Sequence, residues 1–170
     1  GFKNGTDGNV KIACDAIAAA EHSHSFLSVT KGGISAIVTT TGNEDCHIIL
    51  RGGKQPNYDA ESVNAACEIL KASGHREMVM IDASHSNSHK KFKEQIPVVE
   101  NICKQVSNGD NRIIGVMIES NLVEGNQKID LEKGLVYGQS VTDACIGWED
   151  TVKLLNDLAR AVRDRRSRNS

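Results

Sequence analysis

Several things are scarce in this 170-residue sequence, and most of these scarcities close off a class of protein. Net charge is scarce. Twenty basic and 22 acidic side chains leave −2 at neutral pH, without the cationic surplus that a dedicated nucleic-acid binder uses against phosphates. Long apolar runs are absent, and nothing approaches the roughly 20 residues that span a bilayer. No signal peptide precedes Gly1, so the expected compartment is the cytoplasm, with no membrane partner. Cysteine pairing is absent as well: Cys14, Cys46, Cys67, Cys103 and Cys145 are odd in number, far apart and without a CxxC. Cys14, Cys67 and Cys103 fall on apolar helix faces and read as small buried hydrophobes in a reducing environment. There is no initiator methionine either, so the chain reads as a stretch of a longer protein. It is still long enough to bury the core of a single domain over 1–170.

What is present is an alternation. The nearly continuous apolar runs Cys46–Arg51, Glu77–Asp82, Arg112–Glu119 and Gln139–Asp143 predict strands buried on both faces. Helical stripes lie between them: Val10, Ala13, Cys14, Ile17 and Ala18 after the capping-type run Asn4-Gly5-Thr6-Asp7; then Val63, Ala66, Cys67 and Leu70, opened near Asp59 and closed by Gly74. A third stripe runs from Phe92 through Ile96, Val99 and Cys103 to Val106, with Pro97 expected to kink it or mark a fresh start. The last runs from Trp148 to Val162, acidic at its start and arginine-rich at its end, as the helix dipole favours. Strand–helix–strand alternation predicts an α/β fold with a parallel sheet. One stretch breaks it. His24–Thr30 and Ile34–Thr40, joined at Lys31-Gly32-Gly33, predict a β-hairpin inserted over about 24–40.

In parallel α/β folds the strand C-termini share one rim, and chemistry sits there. Lys3, Arg51, His85, Glu119 and Asp143 each stand at the end of such a run, with equal intervals from Arg51 to His85 and from His85 to Glu119. Lys3 leads into a glycine-bearing loop and a helix start, a setting that favours an anion. Arg51 offers a rigid donor fork beside Gly52 and Gly53, whose bareness would let the backbone approach a ligand; the competing reading is a structural ion pair. His85 lies in the polar cluster Asp82-Ala83-Ser84-His85-Ser86-Asn87-Ser88, where Asp82 or a backbone carbonyl could fix its tautomer. One imidazole with the carboxylates of Glu119 and Asp143 suits Mn²⁺, Fe²⁺ or Zn²⁺ better than Mg²⁺. His22, His24, His47, His75 and His89 lack such company and read as structural.

Five motifs carry a family resemblance: Gly-Phe-Lys-Asn-Gly-Thr-Asp-Gly from Gly1, Ile-Leu-Arg-Gly-Gly-Lys around Arg51, Ile-Asp-Ala-Ser-His-Ser-Asn-Ser around His85, Gly-Val-Met-Ile-Glu-Ser-Asn with Glu124-Gly125-Asn126-Gln127, and Ser-Val-Thr-Asp-Ala-Cys-Ile-Gly-Trp-Glu around Asp143. Together, in order along the chain, they resemble type I 3-deoxy-D-arabino-heptulosonate 7-phosphate (DAHP) synthase. The resemblance implies a (β/α)8 barrel, of which this chain supplies the tail of strand four and strands five to eight, plus the hairpin. It implies condensation of phosphoenolpyruvate with erythrose 4-phosphate at the opening of the shikimate pathway. Lys3, Arg51 and His85 would be the catalytic, phosphoenolpyruvate-binding residues. His85, Glu119 and Asp143 would ligate a divalent metal (Mn, Fe, Zn or Co). A cysteine ligand and most of the sugar-phosphate pocket would lie in the N-terminal half of the barrel, so the isolated chain is expected to be inactive. Phe26, Ser28 and Val38 would line an allosteric aromatic amino-acid site. Ser28 points to the phenylalanine-inhibited branch, and the full-length form is expected to be a homo-oligomer. Two alternatives stand beside this reading: 3-deoxy-octulosonate 8-phosphate synthase, disfavoured by the motif around Lys3 and by the hairpin, and a catalytically silent ligand-binding half-domain.

Overall fold

The computed structural model describes residues 1–130, 132 and 134–168. Four parallel strands form the main sheet in the order β1 (Phe2–Lys3), β4 (Ile48–Leu50), β5 (Val79–Asp82), β6 (Ile113–Met117). Helices α1 (Lys11–Ala20), α2 (Ala60–Ala72) and α3 (Gln95–Ser107) connect successive strands of this sheet, which makes it α/β as the alternation predicts. β4 is buried along its whole length, and Val79 and Ile81 of β5 are inaccessible. They pack with Val63, Ala66, Cys67 and Leu70 of α2 and Val98, Val99, Ile102 and Val106 of α3 in one core. Helix α4 (Trp148–Arg168) packs along α3 and adds Leu154 and Ala161 to that core. At β6 the second face is uncovered, and Ile114 is 47% exposed.

Local signals place most boundaries. Asp59 caps α2, its carboxylate accepting from Ser62 N at 2.9 Å, an arrangement worth about 1 kcal/mol. Burial alone would raise that carboxyl, but the hydrogen bonds from Ser62 outweigh it and hold it low. Gly74 and Gly109, both at positive φ, end α2 and α3. Pro97 marks a fresh start: a 3-10 turn, Phe92–Glu94, precedes α3, and the proline falls in the first turn, where its missing N–H has no intrahelical partner to lose. The expected Asn4–Asp7 cap of α1 is displaced by a few residues, with Asn9 Oδ1 accepting from Lys11 N at 2.9 Å. Cys14 and Cys67 are buried and Cys103 is half-buried, and burial pushes all three thiols up, so they stay neutral.

Of two further strand expectations, the hairpin forms and the fourth strand of the sheet does not. The hairpin forms as β2 (Ser25–Val29) and β3 (Ser35–Thr39), antiparallel in the register Phe26↔Val38. The fourth predicted strand shrinks to β8 (Gln139–Ser140) and does not join the main sheet. It pairs in parallel with β7 (Val123–Asn126), and a separate isolated parallel bridge joins Ser120 to Ile146. The physical reason lies in its composition: Gln139, Ser140 and Thr142 are polar and Val141 is exposed, so too little apolar surface exists to hold it against β6. The main sheet is therefore open among the described residues.

Candidate active site

The C-terminal ends of β1, β4, β5 and β6 lie side by side, and three loops are laced together there by buried amides. Asn4, only 3% exposed, accepts from Arg51 N at 2.8 Å and donates to Gly52 O at 2.9 Å. Asn57 bridges Gly52 N and Asn4, while Asn87 donates to Leu50 O and Asp82 O and accepts from Asn57 N. Gly52 and Gly53 serve this lacing. A Cβ on Gly52 would lie 2.7 Å from Ser86 Cβ, and one on Gly53 would lie 2.4 Å from Gly8 Cα. The two glycines thus admit the neighbouring loops that bear Ser86 and Gly8. The glycine loop after Lys3 is likewise occupied, since Gly5 N and Gly8 N bond to Asn9 O and Gly5 O.

Asp82 is the hub. Fully buried at the end of β5, it holds Lys3 Nζ at 2.8 Å on Oδ2 and accepts from Ser84 N at 2.9 Å on Oδ1. His85 Nδ1 lies 2.8 Å from the same Oδ2 without forming a hydrogen bond, and this buried nitrogen has no hydrogen-bond partner among the described residues. The other ring nitrogen, Nε2, faces Glu119 Oε1 at 3.8 Å, and Ser84 Oγ donates to Glu119 Oε2 at 2.8 Å.

Arg51, His85, Glu119 and Asp143 line one cleft of about 200 Å³, together with Ser84, Lys90, Phe92 and Ala144. Lys3 is not in its wall; it adjoins the cleft through Asp82. Arg51 forms no ion pair among the described residues, unlike Lys3, so the competing structural reading of this arginine finds no partner. The loop that follows β5 is strained: His85, His89 and Lys90 all have φ between 51 and 58°, a region that non-glycine residues adopt at an energetic cost and that concentrates at functional sites. Sequence reasoning missed Lys90, because nothing in its identity announces a left-handed backbone aiming it into the cleft. It missed Lys3–Asp82, a pair distant in sequence, and Ser84, whose donation to Glu119 no spacing rule encodes.

An imidazole with a buried carboxylate behind one nitrogen and a second carboxylate before the other is the donor pattern of histidine-bound metals. Two donors each about 2.1 Å from one ion sit no more than about 4.2 Å apart, which the separation of Nε2 from Glu119 satisfies. As placed, however, no group of three His, Cys, Asp or Glu side chains among the described residues converges on a common point. Cys145, beside Asp143, is kept protonated by burial and by the charge of Glu119.

The hairpin leaves the chain between α1 and β4, at the end of the sheet opposite the cleft. Phe26 and Ser28 alternate onto one face, and Val38 lies directly across from Phe26, so these three share a surface while Leu27, Val29 and Ile37 occupy the other.

Parallel strands with a cation, an imidazole and carboxylates gathered in one cleft at their C-terminal rim define an α/β protein with a charged rim cleft. The model of the DAHP synthetase I family matches residues 1–156, and the chain belongs to that family. It is 60% identical over 166 residues, 98% of this chain, to the Phe-sensitive phospho-2-dehydro-3-deoxyheptonate aldolase of Escherichia coli K12, covering 47% of that protein. It is 52% identical over 162 residues, 95% of this chain and 47% of the relative, to the Trp-sensitive enzyme of the same organism. The structure of the corresponding aldolase from Francisella tularensis SCHU S4 superimposes with a TM-score of 0.91 at 51% identity, over 96% of this chain and 48% of that one. The chain therefore spans about half the length of the relatives it matches.

Proposed function

We propose that this chain carries the C-terminal half of a (β/α)8 barrel whose rim condenses phosphoenolpyruvate with erythrose 4-phosphate and water, giving 3-deoxy-D-arabino-heptulosonate 7-phosphate and phosphate. The observation that carries the reading is the guanidinium of Arg51, without an ion-pair partner among the described residues, in one cleft with His85, Glu119 and Asp143. Arginine's planar fork suits phosphate or carboxylate, and a second cation, Lys90, lines the same space. Lys3, paired with Asp82, borders the same space. In the reaction, C3 of phosphoenolpyruvate bonds to the aldehyde carbon, water adds at C2, and phosphate leaves with cleavage of the C–O bond. His85, Glu119 and Asp143 would hold the divalent ion, which supplies Lewis acidity toward the aldehyde oxygen. Arg51 and Lys90 anchor the donor's anionic groups, and Asp82 and Ser84 keep the imidazole and Glu119 in place.

The test is phosphate release by the full-length protein. It should depend on both substrates and on Mn²⁺, and Arg51→Lys should lower kcat/KM by about 10²-fold, since lysine cannot replace the bidentate fork. Consumption of phosphoenolpyruvate that ignores erythrose 4-phosphate would exclude the reading. So would binding without turnover, the mark of a silent domain.

The same proposal assigns the face of Phe26, Ser28 and Val38 to an inhibitory aromatic amino acid, acting at a distance because the hairpin lies at the far end of the sheet. Phenylalanine is expected to inhibit the full-length protein more strongly than tyrosine, and Ser28→Gly to shift the preference toward tyrosine. Unchanged inhibition profiles in that variant would remove Ser28 from the site.

A further inference from the structure

The β5–β6 ladder ends at Asp82↔Met117, so Glu119 stands two residues past the last strand pairing, where a chain ordinarily frays. It does not fray here because a side chain takes over from the neighbouring strand. Gln95, the first residue of α3, is fully buried, and its amide is turned toward the sheet. Its Oε1 accepts from Glu119 N at 2.8 Å, while its Nε2 donates to Glu119 O at 3.1 Å and to Phe92 O at 3.2 Å. A primary amide that accepts from one residue's N–H and donates to the same residue's C=O imitates the paired peptide of an adjacent strand. On the other side Glu119 O also accepts from Ile146 N at 3.0 Å, and Ser84 Oγ holds Oε2. With backbone and one carboxylate oxygen fixed, Oε1 is left facing His85 Nε2.

We propose that Gln95 is a positioning residue for Glu119: by bonding both backbone groups of that residue beyond the end of β6, it aims the carboxylate at His85 Nε2 and sets the affinity of the site for a divalent cation. A buried glutamine that served only to stabilise the helix start would cap α3, whereas this amide spends two of its three bonds on a residue of another element. The inference rests on the proposed role of Glu119 as a metal ligand, so the experiment separates the two.

Mn²⁺ binding is measured by calorimetry, beside steady-state kinetics and thermal unfolding, in the full-length protein and in Gln95→Met, which keeps the volume and removes all three bonds. The expected result is a folded variant whose Kd for Mn²⁺ rises about tenfold, the range seen when a ligand's supporting hydrogen bonds are removed. Its kcat should fall, while the KM for phosphoenolpyruvate, set by Arg51, stays within about twofold. Should Gln95→Met not fold, Gln95→Asn, which keeps the amide but withdraws it by one methylene, is read by the same pair of constants. A folded variant with unchanged Mn²⁺ affinity overturns the proposal, as does a parallel rise in Kd and KM, the sign of general loosening. Glu119→Gln is the control. If it weakens Mn²⁺ binding and the Gln95 variants do not, the positioning role alone fails; if it leaves Mn²⁺ binding untouched, the metal reading of Glu119 fails and Gln95 with it.

Discussion

Replacing Asp82 with asparagine in the full-length protein is expected to lower kcat/KM roughly 10²- to 10³-fold while leaving a folded molecule. The carboxylate meets three groups at once: Lys3 Nζ and His85 Nδ1 on one oxygen, Ser84 N on the other. Asparagine keeps the shape but must turn an NH₂ toward either the ammonium or the Ser84 N–H, setting donor against donor. It also removes the negative charge that neutralises Lys3 and that stands behind the imidazole. Breaking a fully buried ion pair typically costs about 3–5 kcal/mol; the loss here is smaller, because the Lys3 side chain keeps 34% of its exposure. Unfolding by urea reads the stability and steady-state kinetics the function. A variant that retains kcat/KM within about fivefold would show that Asp82 fastens β1 to β5 and does nothing for the site.

The contrast between Asp82 and Arg51 shows what a sequence can announce. Arg51, His85 and Glu119 were legible because a polar residue ending a buried strand has only one rim to point to, and parallel strands repeat at a regular interval. The α2 stripe was equally legible, since Val63, Ala66, Cys67 and Leu70 occupy successive turns of one face and all four are buried. Partnership across the sheet was not. Lys3 and Asp82 meet because β1 and β5 flank β4, and nothing in either residue's neighbourhood encodes that order. The close approach at the glycine pair after Arg51 was legible for its bareness, but its partners were not: the loops bearing Gly8 and Ser86 come against it. Asp143 reaches the cleft although its predicted strand contributes only two residues, so its position comes from the loop after β8 and not from a barrel stave.

The 170-residue polypeptide on its own is expected to turn over the two substrates at less than about one thousandth of the rate of a full-length relative, a loss of the size that disrupted positioning of reactants produces. Charge supplies the first argument. The cleft and its border hold Lys3, Arg51 and Lys90 against Asp82, Glu119 and Asp143, so cations and carboxylates balance. A balanced site has little to offer two phosphate-bearing substrates, and further cations have to come from outside these residues. The open sheet supplies the second. Ile114 is exposed and β1 and β6 end the main sheet among the described residues, so an isolated chain is expected to leave the cleft open to water, which would weaken each electrostatic contact in it. Those same edges invite pairing with other chains, so sedimentation of the isolated polypeptide should show concentration-dependent association. Co-expression with the N-terminal half of the Escherichia coli Phe-sensitive relative should restore measurable turnover, because the missing cations and the second sheet edge arrive together. Turnover by the 170-residue chain alone within tenfold of a full-length relative would mean that the cleft needs nothing more than the groups gathered around Asp82.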